Sequence, residues 1–564
     1  MGRRPWVSPD ARLVAIGLAL LLAWTAIGLR LFHIQGAAAE EYAARGVDQR
    51  LRTEVLAADR GTIFDRDGHE LAVTVDAITV YANPRQVVDP VQTARAIGPY
   101  VGMDPGLLTG LLRKDAGFVY IARQLDRREA EPVRDLELPG IYFTEEPART
   151  YPSGPLAASV IGFVQTDDNQ GLEGLEFAFN EVLAGVPGQL VVERDAAGRV
   201  IPLGEYQVIP AEPGGDVILT IDREIQFETE QVLAETVERF GAVGGTAVVL
   251  DPSSGEVLAM ANFPTFDPNS RENYESGTYR NRAVTDVYEP GSTQKLITVA
   301  AAIEEGVVRP ADIYHVPVEL PIHDTNYSDE VTEARAMTVS NIVAYSSNVG
   351  TILVQADLGN EALYRYIAAF GLGRAPGTGF PGETAGVLHP VNEWCAATCG
   401  PSTAIGYGVS VSALQMAAAF GVVANNGVLV QPRLVREVVA ADGSRQPSVQ
   451  IERTAVSART AAEMRLMLAG VVEKGTGRQA AVAGYRVGGK TGTTRKYDET
   501  VGDYGDNVIS SFIGIAPIEN PRLVVAVVID SPAGGEFGGQ VAAPAFSQIA
   551  LSALHQLGVP PNGE

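Results

Sequence analysis

Cysteine and histidine are scarce in this sequence. Only two cysteines occur in 564 residues, Cys395 and Cys399, and their spacing is not the Cys-x-x-Cys of zinc or redox sites. The six histidines (His33, His69, His315, His323, His389 and His555) are scattered without ligand spacing, so no metal site is expected and no cofactor is implied. Positive charge is also short. Lys and Arg number 43 against 68 Asp and Glu, a formal net charge of −25. A nucleic-acid partner needs a basic surface, so the balance argues against one; an acidic surface by itself serves solubility and names no ligand. Apolar residues make up 46% of the chain and charged residues 20%, which is ordinary for a globular protein with room for two or three domains.

Leu13 to Leu29 is an apolar run without a charge, preceded by Arg3, Arg4 and Arg12 and followed by Arg30, Leu31 and Phe32. That length just spans a bilayer, and arginines before it place the N-terminus in the cytoplasm. The competing reading is a cleaved signal peptide with Ala37-Ala38-Ala39 as its small-residue site. The run is longer than a usual signal core, which favours an uncleaved anchor. Either reading puts the rest of the chain outside the cytoplasm, where Cys395 and Cys399 are either a local disulfide or two buried thiols.

After a mixed juxtamembrane stretch, Asp67-Gly68 reads as a turn joining Thr62-Ile63-Phe64 to Leu71–Val75 in a hairpin. Short strands and helices alternate to about residue 215 with no catalytic pattern. Gly171-Leu172-Glu173-Gly174-Leu175-Glu176 reads first as a structural turn and second as a buried ionic contact. A boundary falls near Glu212-Pro213-Gly214-Gly215. Beyond it come a strand at Val217–Ile221, a helix capped by Asp222, and a hairpin of Thr246–Leu250 with Glu256–Ala261. Near the end, Val487–Thr493 is a strand, Ser510–Ala516 pairs with Leu523–Ile529, and Ala543–Leu557 is a closing helix. Strands at both ends of this region, with helices between, predict one antiparallel sheet with an inserted helical lobe.

Chemistry concentrates in three places. In Glu289-Pro290-Gly291-Ser292-Thr293-Gln294-Lys295 a turn leads into a helix, with Ser292 in its first turn and Lys295 one turn further on the same face. A neutral lysine beside a hydroxyl removes its proton, so the pair reads as nucleophile and base; the bland alternative is a helix cap and a surface lysine. Ser346-Ser347-Asn348 offers a hydroxyl for proton relay and an amide to hold a peptide bond, although such triplets are often only caps. Lys490-Thr491-Gly492-Thr493 sits on an expected edge strand. There Lys490 brings charge that helps keep Lys295 neutral, the two threonine hydroxyls can bind a carboxylate, and Gly492 lets a substrate backbone approach. Gly484 to Thr491 also matches the P-loop pattern, but Gly492-Thr493-Thr494-Arg495-Lys496-Tyr497 is no helix start.

Ser292-x-x-Lys295, Ser346-x-Asn348 and Lys490-Thr491-Gly492, in that order, resemble the three signature motifs of penicillin-binding proteins and serine β-lactamases. Gly406-Tyr407-Gly408, Gly475-Thr476-Gly477, Arg60–Asp65 and Gly171–Glu176 resemble class B penicillin-binding proteins, and Leu71–Val75 with Val80–Pro84 their septal, FtsI-type branch. The likeness extends from the anchor to about residue 555; the Cys395/Cys399 pair lies outside its pattern. The resemblance implies an α+β fold: a membrane helix, an elongated α+β pedestal, and a penicillin-binding transpeptidase domain whose antiparallel sheet is flanked by helices. The implied organisation is a cytoplasmic N-terminus at 1–12, an anchor at 13–32, a pedestal or dimerisation-type docking domain at 33–215, the transpeptidase domain at 216–557 and a tail at 558–564.

The implied activity is D,D-transpeptidation of peptidoglycan stem peptides through an acyl-serine, in wall synthesis at the division septum, with β-lactams as inhibitors. Ser292 is the implied nucleophile, Lys295 its base, Ser346 the proton relay and Asn348 the orienting amide. Lys490, Thr491 and Thr493 would bind the terminal carboxylate, and the backbone N–H groups of Ser292 and Thr493 would form the oxyanion hole. No glycan-polymerising domain fits before residue 220, so a SEDS-type membrane polymerase and other division proteins are the implied partners. A β-lactamase or D,D-carboxypeptidase shares the three motifs and stays open as a hydrolase reading, as do an elongation-type transpeptidase and a penicillin-binding sensor or scaffold. No deacylating glutamate motif is evident, and Glu383 has no assigned place.

Overall fold

The chain is described by a computed structural model over residues 9–195, 200–202, 204–270, 277–329, 333–498, 502–535 and 537–561. Arg3 and Arg4, invoked above for orientation, and the last residues of the tail lie outside them. Two units are distinguished. The first joins Met1–Ala58 to Val186–Glu212; the second joins Asp59–Gly185 to Pro213–Glu564.

In the first unit the apolar run is helical. Asp10–Ala37 is long and apolar enough to cross a membrane, with mean hydropathy 2.0, and apolar side chains such as Leu22 and Trp24 are exposed along it. A helix that is apolar all round has no polar face to offer water. A second helix, Ala39–Arg50, leads to a three-stranded antiparallel sheet of Leu51–Leu56, Gly188–Glu193 and Tyr206–Ile209.

The second unit opens with the expected hairpin. Ile63 pairs with Ala72 across a turn in which the Asp65 carboxylate accepts from the backbone N–H groups of Asp67 and His69. The strand Glu70–Ala82 pairs with Ile141–Thr150 and Val119–Leu125. This sheet runs on past residue 215: Ile63–Phe64 pairs in parallel with Asp216–Leu219, which pairs with Val435–Val439.

Both readings of the Gly171–Glu176 stretch are realised. Gly174 turns the chain at φ +61°, and Glu176 is fully buried between two arginines that are also buried, Arg60 and Arg149. Arg60 Nε donates to one carboxylate oxygen at 2.6 Å and Arg149 Nε to the other at 2.7 Å. Further guanidinium N–H groups meet the carbonyls of Gly61, Asn169 and Glu176 and the Asn180 amide oxygen. Burial pushes the Arg60 pKa down, and the Glu176 charge opposes the shift.

The catalytic-motif region is built on a sheet that is buried on both faces. Its elements, in chain order, are α1 (Arg223–Arg239), β1 (Gly244–Leu250), β2 (Val257–Phe263), α2 (Lys295–Glu304), α3 (Val339–Ala344), α4 (Asn348–Leu358), β3 (Gly488–Asp498), β4 (Asp503–Ala516), β5 (Leu523–Asp530) and α5 (Gly538–Gln556). The sheet order is β2-β1-β5-β4-β3, antiparallel throughout. Along β5, Val524, Ala526 and Val528 join the core shared with the helical lobe; Val525, Val527 and Ile529 join the core under α1 and α5. That is why β5 reads as an unbroken apolar run.

The closing helix begins at Gly538, five residues ahead of its expected start at Ala543. A Cβ on Gly538 would lie 2.2 Å from the Ser511 carbonyl oxygen, so glycine here permits contact with the sheet rather than marking a loop. Cys395 and Cys399 are joined in a disulfide. The P-loop pattern ends in β3, not in a helix.

Replacing Glu176 with Ala strands two buried guanidinium groups, and losing one partner of a buried pair costs about 3–5 kcal/mol. Thermal unfolding of E176A should show a clear drop in the midpoint. An unchanged melting curve would refute a structural role for the triad.

Candidate active site

The nucleophile segment is shaped by glycine. A 3₁₀ turn, Gly291–Gln294, carries Ser292 directly into α2. Gly291 has φ +52°, and its N–H donates to the Gly406 carbonyl at 3.1 Å. A Cβ on Gly406 would stand 2.1 Å from the Gly291 oxygen, so the Gly406-Tyr407-Gly408 motif presses against the backbone beside Ser292. The Ser292 hydroxyl, partly exposed, makes no hydrogen bond among the described residues.

Lys295 is fully buried at the start of α2. Its Nζ donates to the Asn348 amide oxygen and the Ser346 carbonyl, both at 2.6 Å, and reaches Ser346 Oγ at 3.4 Å. Lys490, on edge strand β3, is equally buried, and its Nζ donates to Ser346 Oγ at 2.8 Å. The Ser346 hydroxyl therefore sits between two lysine side-chain nitrogens, held by a residue in the left-handed region at φ +60°. A non-glycine residue there stores strain of order 1–3 kcal/mol. Burial lowers Lys295 to about 7, with the Asp329 charge opposing. Burial also pushes Lys490 well down, and the neighbouring Lys295 cation adds to the shift.

The carboxylate-binding candidates lie on the same strand. The Thr491 and Thr476 hydroxyls are 2.7 Å apart, and Thr493 Oγ accepts from the Gly538 N–H at 3.1 Å. Gly492 has a role that its local sequence does not suggest. A Cβ there would fall 2.3 Å from Ser511 Oγ and 3.1 Å from Thr293 Cγ2, so glycine lets β3 close against the nucleophile turn. Gly475 does similar work at the far wall, where a Cβ would meet the Ala344 carbonyl at 1.9 Å.

Two acidic residues had no role assigned from the sequence, Asp329 and Glu289. Asp329 accepts from Ser347 Oγ at 2.5 Å and from the N–H groups of Asn348 and Val349 at 2.6 and 3.2 Å. It therefore holds the Ser346–Asn348 turn at the N-terminus of α4, a favourable place for a carboxylate. Glu289 accepts from the Gly408 N–H at 2.7 Å and the Tyr504 hydroxyl at 2.8 Å. Neither has a local signal, because each partner lies a loop or more away in sequence. Glu383, unplaced above, is committed to a turn, accepting from the N–H groups of Gly377 and Thr378.

Lys295, Ser346, Asn348 and Lys490 thus meet through hydrogen bonds from α2, the start of α4 and β3, and Ser292 lies in the turn that leads into α2. The set provides a partly exposed hydroxyl three residues before a lysine of lowered pKa, and a second hydroxyl shared by two lysines, which suits acyl transfer.

Comparisons with known proteins give the family. Residues 245–551 match the penicillin binding protein transpeptidase domain, and residues 55–219 match the penicillin-binding protein dimerisation domain. A probable peptidoglycan D,D-transpeptidase PenA of Neisseria meningitidis is 35% identical over 99% of this chain and 95% of its own length. The peptidoglycan D,D-transpeptidase FtsI of Escherichia coli is 32% identical over 97% of this chain and 91% of its own. The crystal structure of penicillin binding protein 3 from Mycobacterium tuberculosis, complexed with aztreonam, superposes with a TM-score of 0.72 at 31% identity, covering 90% of this chain and 98% of that one.

A lysine acts as a base only when neutral, so if Lys295 serves Ser292 in that way, acylation should speed up as pH rises through about 7 and then level off. Stopped-flow acylation by a fluorescent penicillin over roughly pH 5 to 9 reads this directly. A rate that is flat below pH 7 would assign the proton to another group.

Proposed function

The chain belongs to the class B penicillin-binding proteins and is a serine-type peptidoglycan D,D-transpeptidase, and we propose that Ser292, Lys295, Ser346, Asn348 and Lys490 carry its chemistry. Ser292 Oγ attacks the carbonyl between the two terminal D-alanines while neutral Lys295 takes its proton. Ser346 passes a proton to the departing amine, the C–N bond breaks, and D-alanine leaves an acyl-Ser292 ester. An amine from a neighbouring strand then displaces Ser292 and completes the cross-link. Asn348 orients the donor and Lys295; Lys490, Thr491 and Thr493 bind the terminal carboxylate. The N–H groups of Ser292 and Thr493 stabilise the oxyanion, typically the largest single electrostatic contribution. The observation that carries this reading is the Ser346 hydroxyl held between two buried lysines.

β-Lactams place a strained amide where the D-Ala-D-Ala bond would lie, so the protein is proposed as a penicillin target. Intact-mass analysis after penicillin treatment should give a stable adduct on the wild type and none on Ser292→Ala. Persistent labelling at another residue would overturn the assignment.

The boundaries read from the sequence, 33–215 for a docking domain and 216–557 for the catalytic domain, are part of the proposal, as is a septal role. Likeness to FtsI and the septal-type stretches near Leu71 and Val80 support it. In this reading residues 13–32 anchor the chain in the cell membrane with a cytoplasmic N-terminus, and a SEDS-type polymerase supplies glycan strands. Depletion should then produce filaments lacking septa, and purified protein should not polymerise lipid II. Wide cells that still divide, or polymerisation by the protein alone, would contradict the corresponding point.

A further inference from the structure

Past Thr493 the edge strand β3 continues through Thr494, Arg495, Lys496 and Tyr497, and a cavity of about 540 Å³ opens beside it. Its lining includes Tyr288, Glu289, Arg495, Lys496, Tyr504 and Asp530. Nearly every charge there is already matched. Lys496 Nζ pairs with Asp530 at 2.6 Å. Arg282 lies between Asp286 and Asp530 at 4.0 and 3.8 Å, and Asp286 also takes Arg280 at 2.5 Å. Glu289 is held by the Gly408 N–H and the Tyr504 hydroxyl. Arg495 differs: its side chain is exposed, and it has no hydrogen bond or ion pair among the described residues. Beside it Tyr504 meets Tyr407 and Tyr497 edge-on, with ring centroids 5.8 Å apart in both pairs.

The direction of a bound donor follows from the roles proposed above, on which this inference rests. A peptide whose carboxylate meets the Thr491 and Thr493 hydroxyls, and whose scissile carbonyl meets Ser292, lies along the free edge of β3. Its upstream residues then run toward Arg495. At about 3.3 Å per residue, the residue two before the carboxyl terminus arrives about 7 Å further along the strand, the same distance that separates Thr493 from Arg495. In a stem peptide that position is the diamino acid. Diamino acids come in two chemical types: a lysine type whose side chain ends in an amine alone, and a diaminopimelate type that adds a second carboxylate. An unpaired, fork-shaped guanidinium is suited to the carboxylate, and tyrosine rings suit the methylene chain that leads to it.

We propose that Arg495 sets donor specificity by binding the side-chain carboxylate of a diaminopimelate-type stem peptide, with Tyr407 and Tyr504 forming the wall along its methylenes. The test uses full-length protein in detergent and three donor peptides ending in D-Ala-D-Ala. They carry diaminopimelate, its side-chain amide, or lysine at the third position. The kcat/KM for D-alanine release should favour free diaminopimelate over the other two by about ten- to a hundredfold, the range of a charge-assisted hydrogen bond. Arg495→Gln and Arg495→Ala should bring that ratio close to one, and Arg495→Lys should restore part of it. A merely structural arginine would lower all three rates together and leave the ratio intact. Equal turnover of the three donors by the wild type, or an unchanged ratio in the variants, overturns the Arg495 assignment alone. Turnover of none of them, with no acyl-Ser292 from penicillin, would instead overturn the transpeptidase reading beneath it.

Discussion

Two lysines buried around one serine hydroxyl govern this molecule. Lys295 and Lys490 both reach Ser346 Oγ, and neither is exposed. An ammonium group without a full counterion is costly in such a place, and a second one beside it is costlier. The fold resolves the conflict through acidity: burial lowers both pKa values, so that a base exists near neutral pH. Asp329 limits the shift at Lys295, because its carboxylate favours the cation. The same carboxylate holds the Ser346–Asn348 turn by three hydrogen bonds. One side chain thus helps set both the position of the Ser346–Asn348 turn and the basicity of Lys295.

The Arg60–Glu176–Arg149 cluster shows the opposite treatment of buried cations. There a carboxylate is supplied, each oxygen meets a different guanidinium, and backbone carbonyls take further N–H groups. Arginine stays charged under almost any burial, whereas lysine gives up its proton readily. The structural clamp therefore uses arginine with a paired counterion, and the two groups around Ser346 are lysines with only the Asp329 charge opposing the loss of a proton.

Around the lysines, stiffness comes from a sheet with two buried faces and close backbone approaches. β5 contributes alternate side chains to the two cores, while β3 keeps one free edge. Gly406, Gly475 and Gly492 each occupy a place where a Cβ would strike a neighbouring segment. These approaches seat the nucleophile turn, α3 and β3 against one another with little room to drift, which acyl transfer requires of its reacting groups.

Much of this was legible in the order of residues. Apolar runs located the strands of the five-stranded sheet, Asp222 located a helix start, and three short motifs marked the candidate reacting side chains. The residue types and spacing proposed for nucleophile, base and carboxylate hydroxyls are local features, so the sequence alone put them forward as candidates. Other features exist only once distant segments meet. Asp329 and Glu289 act on partners remote in sequence, the closing helix begins at Gly538, ahead of its expected start at Ala543, and Glu176 pairs with an arginine 116 residues away. The lowered pKa of Lys295 belongs to this second class. A lysine is a cation at neutral pH wherever water reaches it, and only tertiary packing, by excluding water from Lys295 and Lys490 together, lowers the pKa of both around the shared Ser346 hydroxyl.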